Sequence, residues 1–202
     1  MKDYILSIIA GFATGVFFIF VVLNLELKTP YIKIILPVVI PIAWILVILI
    51  GRYFKESFSW AYQFSKFFVV GFLNFSIDFG ILNLGSILTG VYSGKWLIPI
   101  NLISSTVAII NSFLWNRYWT FSRKGKPVFR EVLVFVGVTL VGTVLNTIIV
   151  YGTTTFIPLY DGLTPALLEN AAKVLASAIT LAWNFVGYRL IVFKQPALDS
   201  SR

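Results

Sequence analysis

The residues of this sequence that could do chemistry stand inside apolar runs. The segment 68–80, FVVGFLNFSIDFG, carries an amide at Asn74 and a carboxyl at Asp78. Lys66, Asn74 and Asp78 are separated by whole multiples of four residues, which places them on one face of a helix. In lipid, an ionisable side chain at this depth is costly and usually faces a partner or a polar cavity. The spacing therefore predicts a functional role for Asp78.

The later apolar runs carry further polar residues at helical spacing. They are three amides and one lysine: Asn111, Asn146, Lys173 and Asn184. A structural pair between Asp78 and Lys173 is one interpretation, and a lone protonated Asp78 is another. Helix packing is the alternative for the small and hydroxyl residues beside them, because such residues let membrane helices approach and hydrogen-bond.

Two arginines occur in a repeated pattern. F-x-x-x-R-x-x-x-F is found at 113–121 around Arg117 and at 185–193 around Arg189. A guanidinium binds phosphate through bidentate, charge-assisted hydrogen bonds, so the pattern predicts phosphate binding. Anchoring at the membrane interface is the alternative, because arginine and aromatic residues are common there.

A basic segment follows the first arginine motif. Residues 122–130 read SRKGKPVFR and hold four cations: Arg123, Lys124, Lys126 and Arg130. We expect them to bind anionic lipid headgroups, at about 1 kcal/mol for each basic residue. A docking surface for a cytoplasmic enzyme is the alternative interpretation.

The composition indicates whether water or lipid surrounds these residues. The chain is 58% hydrophobic and 12% charged, with a mean hydropathy of +0.91, whereas soluble domains are about 25% charged. Several uncharged runs reach the ~20 residues that a bilayer-spanning helix needs. The sequence therefore predicts an integral membrane protein. Its first apolar run, longer than the core of a signal peptide, is expected to be a retained span.

Several kinds of chemistry are not expected. The sequence has no cysteine and no histidine, so disulfides, thiolate chemistry and the usual metal ligand are absent from it. The connections between apolar runs are too short for an extramembrane catalytic domain. We expect neither an enzyme nor a bound metal or cofactor.

Apolar runs and turn residues predict an all-α protein of six transmembrane helices. Their expected bounds are 4–25, 31–51, 63–90, 95–116, 129–153 and 165–188. The repeated arginine pattern groups the last four into two parallel hairpins, 63–121 and 129–193, and internal repeats are common in transporters.

The predicted domains follow from this grouping. Residues 1–58 form an accessory two-helix hairpin, 59–195 a four-helix core and 196–202 a cytoplasmic tail. A homodimer is a plausible assembly, because four core helices enclose only a small cavity.

The basic residues predict the orientation. With the N-terminus inside, twelve of the sixteen Lys and Arg residues fall on the cytoplasmic side and four on the outer side. We therefore expect a multi-pass protein of the cytoplasmic (inner) membrane with both termini cytoplasmic. The net charge of +8 reflects this topology and contact with anionic lipid. It does not indicate nucleic-acid binding, because the cations are split among short loops.

Three motifs of this chain resemble the GtrA-like family of small four-helix membrane proteins. They are FSKFFVVGFLNFSID at 64–78, NRYWTF at 116–121 and GYRLIVF at 187–193. The resemblance covers roughly residues 62–194, and residues 1–58 depart from the family pattern.

The resemblance implies a role in cell-surface polysaccharide synthesis. Such proteins are thought to move polyprenyl-phosphate-linked monosaccharides across the membrane to an outer glycosyltransferase. The matching polar positions here are Lys66, Asn74, Asp78, Asn116, Arg117 and Arg189. Basic groups would bind the phosphate, and amide and carboxylate side chains would hydrogen-bond the sugar hydroxyls along a polar path.

Two other functions stay open at this point. One is a non-transporting scaffold that anchors a cytoplasmic polyprenyl-phosphate glycosyltransferase through the segment 122–130. The other is a small exporter that uses Asp78 for proton coupling, as ionisable residues do in pumps.

Overall fold

The computed structural model describes residues 1–24, 31–91, 97–157 and 165–194, and these form helices and no strand. The α-helices are α1 (Lys2–Asn24), α2 (Ile32–Tyr53), α3 (Ala61–Thr89), α4 (Leu97–Trp115), α5 (Phe129–Phe156) and α6 (Pro165–Gly187). Two π turns follow, the first (Asn116–Thr120) after α4 and the second (Tyr188–Val192) after α6. The prediction of an all-α protein is confirmed, and each helix lies where the apolar runs placed it.

The helices present apolar side chains outward, as a membrane protein requires. On α2 the exposed residues Ile34, Val38, Ile42 and Leu46 recur every four positions and make a continuous apolar stripe. Of the described helices, α1, α2 and α3 are long and apolar enough to cross a membrane. Within the second hairpin, Ala178–Val192 forms a shorter apolar stretch. The total of six spans stays a prediction.

The chain divides into two compact units, an N-terminal unit of residues 1–122 and a C-terminal unit of residues 123–202. In the N-terminal unit α3 is central, and α1, α2 and α4 pack on it. Its buried side chains Val69, Val70 and Leu73 meet Trp44 of α2 and Ala108 of α4. The predicted domain boundary after residue 58 is not tested by this packing, and the predicted tail 196–202 lies outside the described residues.

Glycine and proline bring α1 and α2 together at unusually short distance. A Cβ atom added to Gly11 would lie 2.5 Å from the Cα atom of Pro41. One added to Gly15 would lie 2.6 Å from the Cα atom of Pro37. The two glycines are one turn apart on the buried face of α1, the small-xxx-small arrangement that lets membrane helices pack backbone to backbone.

The C-terminal unit is a hairpin of α5 and α6. The indole Nε1 of Trp183 donates to the carbonyl of Val138 at 3.0 Å. Gly187 packs against the same Val138 side chain. Phe135 stacks on Tyr188 with ring centroids 4.4 Å apart. These contacts join the start of α5 to the end of α6, where the second π turn begins.

We predict that Gly11→Ala destabilises the protein by about 1–3 kcal/mol, the usual cost of inserting a methyl group into a tight contact. Gly137→Ala is the matched control, because a Cβ atom there meets nothing within 4 Å and should change the free energy of unfolding by less than about 0.5 kcal/mol. Unfolding of both variants in detergent micelles, followed by circular dichroism, measures the difference. Equal stability of the two would contradict the backbone contact.

Candidate functional site

Both hairpins of the repeat end in the same backbone irregularity. The amide of Phe121 donates to the carbonyl of Asn116 at 2.8 Å, and the amide of Phe193 donates to the carbonyl of Tyr188 at 2.8 Å. Each bond spans five residues, where an α-helix spans four. Turns of this kind are rare and frequently mark functional sites. Each contains the arginine of its repeat, so the sequence pattern corresponds to a shared local geometry.

Arg117 is held inside the protein. Its side chain is 2% exposed, and its Cζ atom lies 4.9 Å from the ring centroid of Tyr118. An anchoring arginine reaches water or lipid headgroups, which a buried guanidinium does not. Burial distinguishes Arg117 from an anchoring arginine, and its role in phosphate binding stays a prediction.

Polar atoms beside Arg117 have unused hydrogen-bonding capacity. The amide nitrogen of Asn116 donates to the carbonyl of Ser112 at 2.9 Å. The Oδ1 atom of Asn116 and the Oγ1 atom of Thr120 are buried and have no hydrogen-bond partner among the described residues. Unsatisfied buried polar atoms are uncommon in folded proteins. The first π turn thus combines a buried cation with two buried oxygens that have no partner among the described residues.

The second π turn presents its arginine differently. Arg189 is half-buried and has no hydrogen bond or ion pair with the part of the chain that the structure describes. Its neighbour Tyr188 is buried, and the Tyr188 hydroxyl lies 2.7 Å from Oγ1 of Thr139 on α5. Tyr188 therefore joins the turn to α5, and Arg189 has no such contact among the described residues.

The polar residues predicted on α3 are paired with α4. The amide of Asn111 donates to Oδ1 of Asn74 at 2.6 Å, and the hydroxyl of Ser104 donates to Oδ1 of Asp78 at 2.8 Å. Ser104 is fully buried, and Asp78 is half-buried. The structure thus brings Asn74, Asp78 and Asn111 together where α3 packs on α4. Hydrogen bonds between packed helices are also what the packing interpretation expects.

The remaining predicted polar residues stand apart from this contact. On α6 the Oδ1 atom of Asn184 is buried without a hydrogen-bond partner among the described residues. A Cβ atom at Gly142 of α5 would lie 2.7 Å from it. The side chains of Asn146 and Lys173 lie outside the described residues, and with them the suggested pair between Asp78 and Lys173.

Lys66 has a partner that sequence reasoning missed. Its Nζ atom lies 3.0 Å from Oδ1 of Asp3, in the first turn of α1. The indole of Trp119 donates to the same oxygen at 2.8 Å, and the hydroxyl of Tyr62 donates to Oδ2 at 2.7 Å. The Lys66 ammonium also lies 4.4 Å from the Tyr62 ring centroid. We call these four residues the Asp3 cluster.

One signal in the sequence pointed toward the Asp3 cluster. The predicted topology puts the start of α1 and the start of α3 at the same membrane face, so an acid and a lysine there can meet. Carboxylates also favour the first turn of a helix, where the backbone N–H groups are unpaired. The pairing itself depends on α1 packing along α3, which no local pattern specifies.

The basic segment 122–130 is partly tied to the C-terminal unit. Arg123 donates to the carbonyl of Lys194 at 3.1 Å and lies 3.8 Å from Oε1 of Glu131. Lys124, Lys126 and Arg130 stay on the surface. Arg123 therefore has a structural role, and the other three are the members of the segment that a lipid headgroup or a partner would meet.

Comparison with known proteins places these features in one domain. The family described as GtrA/DPMS, transmembrane domain, matches residues 66–193. The uncharacterized membrane protein YngA of Bacillus subtilis (strain 168) is 30% identical over 128 residues, which are 63% of this chain and 77% of that protein. No solved structure matches the chain. The matched region contains both π turns and the α3–α4 contact, and Asp3 lies outside it.

We predict that Asp3→Asn and Lys66→Gln each lower the free energy of unfolding by about 1–3 kcal/mol. Breaking a fully buried ion pair costs about 3–5 kcal/mol, but the Asp3 side chain is 30% exposed and the Lys66 side chain 9%. The double variant should lose less than the sum, because neither charge is then left alone. Unfolding titrations of the four proteins give the coupling energy, and Lys33→Gln, at an exposed lysine on α2, is the control. Additive losses would contradict a direct pair.

Proposed function

Because the chain belongs to the GtrA/DPMS transmembrane-domain family, we propose that it moves a polyprenyl-phosphate-linked monosaccharide across the cytoplasmic membrane. The product would supply cell-surface polysaccharide glycosylation. Family membership makes this a membrane protein of processes related to polyprenyl-phosphate sugars. The observation that carries the finer proposal is the pair of matched π turns, each with an arginine, inside the family region.

In this proposal the phosphate is bound by Arg117, Arg189 and Lys66. Guanidinium groups suit a phosphate because two parallel N–H donors match two of its oxygens. Arg117 is buried and Arg189 is half-buried, so each turn supplies one cation to the proposed site. Lys66 is neutralised by Asp3 in this structure, so it would reach a phosphate only by exchanging that carboxylate.

The sugar would follow the polar residues of the helices. Its hydroxyls both donate and accept, as do the amides of Asn74 and Asn111, while Asp78 accepts. The unsatisfied Oδ1 atoms of Asn116 and Asn184 support such a path, because each can accept a hydroxyl proton. Asn146 and Lys173 complete the proposed set. The isoprenoid tail would stay in lipid, where apolar surface costs nothing.

The proposal includes a direction and partners. Both termini would lie in the cytoplasm, by the distribution of Lys and Arg. The lipid-linked sugar would be made by a glycosyltransferase on the inner side and received by another on the outer side. Anionic lipids would contact the exposed cations of segment 122–130, and the protein would work as a homodimer.

The scaffold function is the second candidate. Its support is the surface position of Lys124, Lys126 and Arg130, which a cytoplasmic glycosyltransferase with an acidic face could bind. In that function no lipid crosses the bilayer through this chain, and the polar contacts of α3 serve packing alone.

A transport assay separates the two functions. Liposomes loaded with a fluorescent polyprenyl-phosphate sugar report how fast the lipid becomes accessible to an external reagent. We predict acceleration by the wild-type protein and a loss of about 10–100-fold in Arg117→Lys and Arg189→Lys. These variants keep the charge and lose the fork of donors, and a charged hydrogen bond contributes about 1.5–3 kcal/mol. Asp78→Asn should also be slow, and Lys33→Gln should match wild type.

The opposite result has a definite meaning. If the folded wild-type protein gives no acceleration over empty liposomes, translocation is wrong and the scaffold is the better account. Charge reversal of Lys124, Lys126 and Arg130 should then release a co-purifying glycosyltransferase.

A further inference from the structure

The Asp3 cluster has the composition of an anion site. Three different donors converge on one carboxylate: the ammonium of Lys66, the indole N–H of Trp119 and the hydroxyl of Tyr62. Two of them come from α3 and one from the first π turn. The Asp3 carboxylate that accepts these contacts comes from α1, whereas the donors come from α3 and the π turn that packs on it.

Two further cations lie beside the cluster. Arg52 donates to the hydroxyl of Tyr4 at 3.1 Å, one residue from Asp3. The Nζ atom of Lys55 lies 6.0 Å from the ring centroid of Tyr62. Lys66 contacts Asp3 directly, while these two cations are exposed and lie beside the cluster through Tyr4 and Tyr62. A phosphate group offers more acceptor oxygens than a carboxylate, so it can accept hydrogen bonds from the same three donors.

We propose that Tyr62, Lys66 and Trp119 form a phosphate-binding site that the chain's own Asp3 carboxylate occupies, so that α1 is a tethered competitor of the incoming phosphate. The inference deepens the proposed function and rests on it for the identity of the natural phosphate, that of the polyprenyl lipid. It also gives the residues before the family region a task, which is to close this site until a ligand displaces Asp3.

The displacement requires only a local movement. Gly11 and Gly15 hold the middle of α1 against α2 through backbone contacts. Asp3 lies in the first turn, whose backbone N–H groups have no partner within the helix. In this proposal the first turn moves while these backbone contacts keep the middle of α1 packed. Because Trp119 shares the first π turn with Arg117, exchange of the anion at Trp119 acts on the turn that carries the buried arginine.

Phosphate binding by the full-length protein tests the proposal. The protein is placed in nanodiscs of phosphatidylcholine, with inorganic phosphate titrated in one arm and polyprenyl phosphate incorporated in the other. The bound fraction is read by ³¹P NMR and by native mass spectrometry. We expect Asp3→Asn to tighten the apparent Kd at least tenfold, because an occupant present more than ~90% of the time reduces the competent fraction to less than a tenth. Lys66→Gln should remove this gain when combined with Asp3→Asn.

Each outcome is decisive for the site. A gain in both arms, or in the lipid arm alone, supports the site, and the second result assigns it to the lipid headgroup. A gain with inorganic phosphate alone supports a phosphate site whose ligand is not the lipid. An unchanged Kd in folded Asp3→Asn overturns the proposal and leaves Asp3 as the counter-ion of Lys66. If Asp3→Asn does not fold, Asp3→Ser carries the same expectation, since serine suits the start of a helix.

The binding test stands apart from transport. If Asp3→Asn binds phosphate more tightly and the protein moves no lipid-linked sugar, the site holds and the proposed function fails. If the protein moves the lipid-linked sugar and the Kd for phosphate is the same in wild type and Asp3→Asn, the proposed function holds and the proposed site is wrong.

Discussion

A polar side chain on a membrane helix must find its partner inside the protein, because lipid offers none. This constraint acts most strongly on α3. Of its polar residues, Lys66 and Asn83 bond to Asp3 and Asn24 of α1, whereas Asn74 and Asp78 bond to Asn111 and Ser104 of α4. The first pairs join both ends of α1 to α3 and make the two helices parallel. The second pairs fix an antiparallel α4. The apolar faces of these helices could pack in several registers, and the polar contacts determine which register is adopted.

The same constraint links stability to the proposed chemistry. A group that binds a phosphate or a sugar needs a satisfied resting state, since an exposed charge in lipid is costly. The Asp3 cluster is such a state for Lys66. Burial keeps the Arg117 guanidinium away from lipid. In the same π turn, the side-chain oxygens of Asn116 and Thr120 have no hydrogen-bond partner among the described residues. Under the proposed function, contacts that hold the resting protein are the ones that a phosphosugar would exchange.

Much of the fold could be predicted from the sequence, because the length of an apolar run determines a membrane helix and glycine, proline and charge determine its ends. The repeat around Arg117 and Arg189 was also visible. Its π geometry was not, since no residue pattern in the repeat distinguishes a hydrogen bond that spans five residues from one that spans four. The bond between Asp3 and Lys66 joins residues far apart in sequence, so it follows only from the packing of α1 on α3. The burial of Arg117 could not be predicted either. An F-x-x-x-R-x-x-x-F motif is equally typical of an arginine that anchors a helix at the membrane interface.

Contact between the lipid phosphate and the two π turns is the central claim, and photo-crosslinking tests it most directly. A polyprenyl-phosphate sugar with a diazirine next to the phosphate would be irradiated with the reconstituted protein, and the labelled peptides identified by mass spectrometry. We predict labelling within 113–121 and 185–193, reduced by excess unlabelled lipid. Labelling confined to the exposed apolar stripe of α2, or unaffected by competitor, would contradict the account.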